Sequence, residues 1–290
     1  MRRRLLITMA LALTACAASA STLGRTSSGF KQVARTTHVS YFSRSSLKVD
    51  VRRCERFLRE LEKVFGPLPS GWRVGYYRHA GQAEVAAATG RYALGVTDLE
   101  GGRIHSTLGF HPHELVHAVA GRLLGAAPVF LAEGLAVALT SGGRWGDGTV
   151  DGAAAVVVSR DMRLQRFVDR FEAQDPALAY PVAGSFMAHL IDAFGIDAVL
   201  RFYSESSKSG LEAAARRAFG RSFASLNLSW AAALGGSGAR VSWNWADSTS
   251  WPLSLRHSAS SLGNDSRADD RGGPATAPIA SRLTLGAVGR

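Results

Sequence analysis

Residues 110–139 read FHPHELVHAVAGRLLGAAPVFLAEGLAVAL and carry the side chains best suited to chemistry. Within them, His113-Glu114-Leu115-Val116-His117 sets two imidazoles four positions apart. On a helix, positions i and i+4 share a face, so both rings can grip one metal ion. Glu114 sits one residue on, where it reaches water at that ion without being a ligand. Pro112 suits a first helical turn and so sets His113 near the helix start. Two histidines do not complete a catalytic zinc site, which takes three protein ligands and keeps one position open. A third histidine six residues after His117 is absent, because Leu123 stands there. A carboxylate on a second helix is the other solution. Residues 124–128 (LGAAP) turn the chain, and Glu133 follows one turn into the next apolar stretch. Among Phe130, Leu131, Leu135 and Ala136 an unpaired carboxylate is costly, and a metal would satisfy it. The plainer alternatives are a surface charge at Glu133 and histidines that only pack or face water.

These side chains need a frame. Residues 37–42 read as a strand, and 47–65 follow a helical apolar period closed by Gly66-Pro67. Residues 72–78, rich in aromatic and β-branched types, predict a second strand. An alanine-rich helix is expected at 82–89. Residues 92–97 and 102–106 form a candidate antiparallel hairpin across Asp98-Leu99-Glu100-Gly101. From residue 110 the pattern turns helical, with helices predicted at 112–124, 128–140, 159–173, 182–194, 196–206, 210–218 and 222–234. This order predicts an α+β domain over 37–235: a small, mainly antiparallel N-terminal sheet, then a helical half, with the metal site between them. Beyond 236 the chain is Gly/Ser/Asp-rich and loses periodicity, so a disordered tail is expected there. Trp243, Trp245 and Trp251 are its candidates for local docking.

The chain has 290 residues, 46% hydrophobic and 20% charged, with a net charge of +11. That is enough to bury a sizeable core, and it excludes a wholly disordered or collagen-like chain. The N-terminus, MRRRLLITMALALTACAASA, has the charged, apolar and small-residue order of a secretory signal, expected over 1–15. Leu13-Thr14-Ala15-Cys16 matches a bacterial lipobox, with Cys16 lipidated and 16–36 a polar tether; ordinary cleavage after Ala20 is the alternative. Export and envelope attachment, with the outer membrane favoured, are the expectation. Cys54 falls at helical spacing with Phe57, Leu58 and Leu61, as a small buried hydrophobe does. The basic residues are scattered, with no polybasic block or nucleic-acid motif, so no nucleic-acid partner is expected. A monomer is expected.

HELVH, then a proline, then FLAEGLAVAL, resembles the gluzincin (peptidase MA-like) zinc metallopeptidases, and the short bacterial lipoprotein-type members resemble this chain over most of 37–235. Weaker similarities are Tyr180, Ser185-Phe186 and Leu190 on a later helix, then Phe219-Gly220 and Trp230. The resemblance implies a zincin-like fold, a peptide or protein substrate, Zn2+ as cofactor, and His113, His117 and Glu133 as its ligands. It implies Glu114 as the general base that deprotonates water and then protonates the leaving amine. Tyr180, 47 residues after Glu133, stands where relatives supply a hydroxyl to the oxyanion, or is a packing residue ahead of Pro181. The 102–106 strand is a candidate for aligning an extended substrate, with His105 facing the cleft. His111 is expected to start the helix without being a ligand. Two departures stand out. Only 15 residues separate His117 from Glu133, and Val137 occupies the place of an orienting aspartate. A zinc-binding protein without turnover is therefore the alternative to a peptidase, and a basic module binding anionic envelope surfaces is a third reading.

Overall fold

Val39, Tyr41, Val74, Tyr76 and Ile104 are buried and recur at every second position of their segments, the period of a half-buried sheet. In the computed structural model, which describes residues 29–44, 47–158 and 164–235, these segments form one five-stranded sheet. Its strands are β1 (Lys31–Arg35), β2 (Val39–Ser43), β3 (Val74–Arg78), β4 (Gly95–Asp98) and β5 (Arg103–Ser106), in the order β1-β2-β3-β5-β4. β1 and β4 pair antiparallel with β2 and β5, whereas β2, β3 and β5 run parallel. The sheet is thus mixed, which corrects the expectation of a mainly antiparallel one. The cause lies in the connections. Helix α1 (Val51–Phe65) carries the chain from β2 back to the start of β3, and a parallel pair needs such a crossover. Helix α2 (Gln82–Thr89) with β4 does the same between β3 and β5.

β1 was not expected; it lies inside the segment read as a tether. Lys31, Gln32 and Arg35 give it no apolar alternation to read, and all of it but Ala34 is exposed. Its register with β2 shifts between Gln32 and Ala34. The predicted hairpin is present as β4 and β5, with β4 at the sheet edge. β5 is paired on both sides, so the strand expected to align a substrate has no free edge.

The predicted helical half is present. Helices α3 (Pro112–Leu124) and α4 (Val129–Thr140) lie as the patterning placed them, within a residue. Next come a two-stranded ribbon of β6 (Arg144–Trp145) and β7 (Gly148–Thr149), α5 (Val150–Val157), α6 (Leu164–Asp169) and a single 3-10 turn at Phe171–Ala173. The ribbon and α5 lie in the stretch before 159 where the sequence predicted no element. The Thr149 hydroxyl caps α5 by accepting from Gly152 N at 2.9 Å, a signal hidden in a glycine-rich stretch. Helix α7 (Pro176–Phe194) starts earlier than the predicted 182, because Asp175 caps it and Pro176 fits its first turn. Helix α8 (Ile196–Phe219) joins two predicted helices across a kink at Gly210, whose φ of 77° only glycine adopts readily. Helix α9 (Phe223–Gly235) closes the domain, with Trp230 buried against Phe186.

α7 is long and apolar enough to cross a membrane, but here it packs against α4, α5, α8 and α9 as the central core helix. Its contact with α4 leaves no room for a side chain at two glycines. A Cβ on Gly134 would stand 2.6 Å from the Ala183 carbonyl oxygen, and one on Gly184 would collide with Val137. α1 buries Cys54, Phe57, Leu58 and Leu61 as predicted, and burial pushes the Cys54 thiol well above its usual range.

Candidate metal centre

α3 begins under β4 and β5. His111 precedes its first turn and is held by Ser106 of β5, whose Oγ lies 2.9 Å from His111 Nδ1. Burial pushes the pKa of His111 down to about 4. His111 therefore fixes the start of the helix, and its engaged ring stays apart from the groups two and six residues on. From that start, the helical repeat turns His113 and His117 away from the sheet and toward α4. There Glu133, one turn into its helix, meets them.

The three side chains converge closely. His113 Nε2 lies 2.9 Å from Glu133 Oε2, His117 Nε2 lies 3.3 Å from the same oxygen, and the two ring nitrogens are 3.0 Å apart. Each ring nitrogen carries at most one proton. Any placement of protons leaves at least one of these three contacts without a hydrogen bond, with two lone pairs or two N–H groups facing one another. A cation at their centre removes that conflict, and the group can hold a metal ion. The electrostatics agree. Burial alone would raise the Glu133 carboxyl, yet hydrogen bonds with His113 and His117 hold it far below the usual carboxylate range. Burial alone would lower His117, and the Glu133 carboxylate brings it above its usual value.

Glu114 occupies the neighbouring face of α3 and is buried. Thr97 of β4 donates its hydroxyl to Glu114 Oε2 at 2.7 Å, fixing the carboxylate beside the metal-binding group. The backbone of β4 can come this near only because residue 95 is glycine. A Cβ there would stand 2.8 Å from Glu114 Cγ and run into the His111 ring. Sequence reasoning missed both Thr97 and Gly95. The signal was present only as a predicted hairpin immediately before the HELVH helix, with no statement of which face meets which.

Tyr180 of α7 is brought to the site. Its ring lies parallel to His113 with centroids 6.1 Å apart, and parallel to Phe171 at 6.0 Å. Burial raises its phenol pKa, and the carboxylates of Glu133 and Glu114 raise it further. His105 is placed elsewhere. It lies on the opposite face of the sheet, stacked on Tyr77 at 5.2 Å and 3.0 Å from His79 Nε2, so it does not face the cleft. Alternation along β5 explains this: Ile104 and Ser106 face the helices, and the residue between them cannot. Val137 is buried and apolar, so no carboxylate supports the ligands from that position. The signal segment, Cys16 and the tail beyond 235 lie outside the described residues. No known protein family matches the chain, and no curated protein matches it.

Proposed function

We propose that this protein is a zinc-dependent peptidase of the gluzincin kind. The convergence of His113, His117 and Glu133 beside a hydrogen-bonded Glu114 carries the reading. Atoms bonded to zinc at about 2.0–2.1 Å stand about 3.3 Å apart on a tetrahedron. The observed separations of 2.9, 3.0 and 3.3 Å suit that ion, as does the ligand set of two imidazoles and a carboxylate. When bound, zinc supplies Lewis acidity to a scissile carbonyl and to water.

The rest of the chemistry belongs to the chain. Glu114 accepts a proton from water as its oxygen bonds to the carbonyl carbon, then delivers that proton to the amide nitrogen as the C–N bond breaks. Thr97 keeps the receiving oxygen of Glu114 in place through both transfers. The Tyr180 hydroxyl, kept protonated by its surroundings, donates to the oxygen that gathers negative charge. β4, with no strand beyond it among the described residues, offers backbone groups to an extended peptide lying along the cleft. Cys16 and the apolar leader support work in the bacterial envelope.

The deciding experiment measures zinc per chain by mass spectrometry on the wild type and His117→Ala, followed by cleavage of a peptide library. One zinc in the wild type, lost in the variant, with peptide cleavage dependent on it, supports the reading. No zinc in either sinks it. The absence of a carboxylate at Val137 favours the second reading, a protein that holds zinc without turnover. Zinc binding without cleavage of any peptide would establish that one.

A further inference from the structure

The outer face of the sheet carries a cluster of titratable side chains that the metal centre does not use. His79, just past the end of β3, and His105 of β5 are 2% and 4% exposed. His79 Nε2 lies 3.0 Å from His105 Nδ1, and His79 Nδ1 lies 3.6 Å from Glu84 Oε2 of α2. Glu84 is itself held in place. Arg44 Nη1 donates to its Oε1 at 3.0 Å, and Ala80 N donates to its Oε2 at 3.1 Å. Phe30 meets the His79 ring edge-on at 5.0 Å, and the Arg44 guanidinium covers Phe30 at 4.9 Å.

The proton count of this chain of groups is limited. With both rings neutral, His79 carries its proton on Nδ1, toward Glu84, and its Nε2 accepts from the Nδ1–H of His105. A further proton on His79 Nε2 would set two N–H groups against each other at 3.0 Å. A further proton on His105 would create a cation with almost no access to water. The charged groups facing the pair are Glu84 and Asp98 on one side of the balance and Arg44, Arg78 and Arg103 on the other. Burial lowers the pKa of both rings, that of His105 to about 4.

The pair connects to the metal centre through the backbone. In the register of β4 with β5, His105 pairs with Val96, which stands between Gly95 and Thr97, the two residues that lie against Glu114. The next residue of β5, Ser106, holds His111 at the start of α3. Helix α2, which carries Glu84, precedes β4 in the chain.

We propose that Glu84, His79 and His105 form an acid-operated latch that clamps α2 and β3 to β5 while the rings are neutral and releases β4 and the start of α3 when they are protonated. The latch acts on the position of Glu114 and His113, and it holds whether or not the protein cleaves peptides.

Hydrogen exchange on the full chain, read by mass spectrometry at pH 7 and pH 5 and corrected for the intrinsic effect of pH, tests this directly. A histidine with its ordinary pKa near 6.5, free to charge only in the open form, raises the opening constant about twentyfold between these two pH values. Exchange in residues 82–89, 94–98 and 103–114 should rise by at least that factor and run ahead of exchange in α7. His105→Asn keeps a side-chain N–H for His79 Nε2 but takes no proton, so it should lower the rise about twentyfold. His105→Phe, which fills the stacked place beside Tyr77, should lower it likewise. A rise in the wild type of less than about threefold overturns the proposal. So does a rise that both variants leave unchanged, or exchange in these segments only in step with α7, which is global unfolding. The peptidase reading is untouched by any of these outcomes, since none of them measures turnover.

Discussion

A carboxylate that takes a proton and hands it on must keep one lone pair aimed at one place. In the proposed reaction that carboxylate is Glu114, and its aim depends on the 2.7 Å hydrogen bond from Thr97. Thr97→Val removes the hydroxyl at nearly constant volume, and kcat should fall roughly 10–100-fold, as for other groups that orient catalytic ligands. Zinc content should stay at the wild-type level and Thr97→Ser should restore most of the rate; steady-state kinetics with metal analysis checks all three. Glu114→Gln should lower kcat by at least about 100-fold while zinc remains bound. At this scale the sequence was most informative where one helix carried the whole pattern. His113, Glu114 and His117 were legible because their spacing alone puts them together. Glu133 needed only a turn and an apolar setting. Thr97 and Gly95 were not legible, because their role depends on how an edge strand lies across a helix.

Between elements, close packing decides what a glycine is worth. In a helix interior, glycine is normally less favourable than alanine by about 1 kcal/mol. Gly134 and Gly184 reverse that expectation, because α4 and α7 meet there without room for a methyl group. Gly134→Ala or Gly184→Ala should destabilise the fold by about 1–3 kcal/mol and weaken zinc binding, since Glu133 rides on the displaced helix. Urea unfolding and zinc titration would show both effects. The outer face of the sheet gives a second prediction. His79 and His105 are buried together, and burial lowers both pKa values, that of His105 to about 4. Glu84 opposes this at His79 and Asp98 at His105, while Arg44, Arg78 and Arg103 reinforce it. The unfolded chain, with ordinary histidines near pKa 6.5, takes up protons first as the pH falls. Stability is thus fully present above about pH 6.5 and declines toward pH 4, by at most about 1.4 kcal/mol per pH unit for each group. His105→Phe should show a smaller drop in urea midpoint than the wild type between about pH 7 and pH 5. Helices with capped, periodic sequences were readable in advance. α5 was not, since its cap is buried in glycines, nor was β1, whose polar residues carry no alternation.

The whole molecule is two unlike halves that share α3. Its sheet side supplies Thr97 to Glu114, and its helical side supplies Glu133 and Tyr180 to the two histidines. An ion held by α3 and α4 therefore ties together elements whose apolar packing alone sets their distance. Zinc at about 100 times its dissociation constant should stabilise the native chain by about 2.7 kcal/mol. Thermal melts with zinc and with chelator should differ by several degrees, and the difference should be absent in His117→Ala. The α+β order was legible from the change of period near residue 110. The parallel core of the sheet was not, because nothing local records that α1 and α2 return the chain to the same end. One consequence concerns the two sheet edges. β1 carries Lys31 and Arg35 and breaks register with β2, features that discourage another strand from joining. β4 has no basic residue, Asp98 being its one charge, keeps an unbroken register with β5 and lies on Glu114. A second copy adding a strand to this sheet would meet less resistance at β4 and would cover the strand that holds Glu114, so in the proposed peptidase self-assembly and self-inhibition would be a single event.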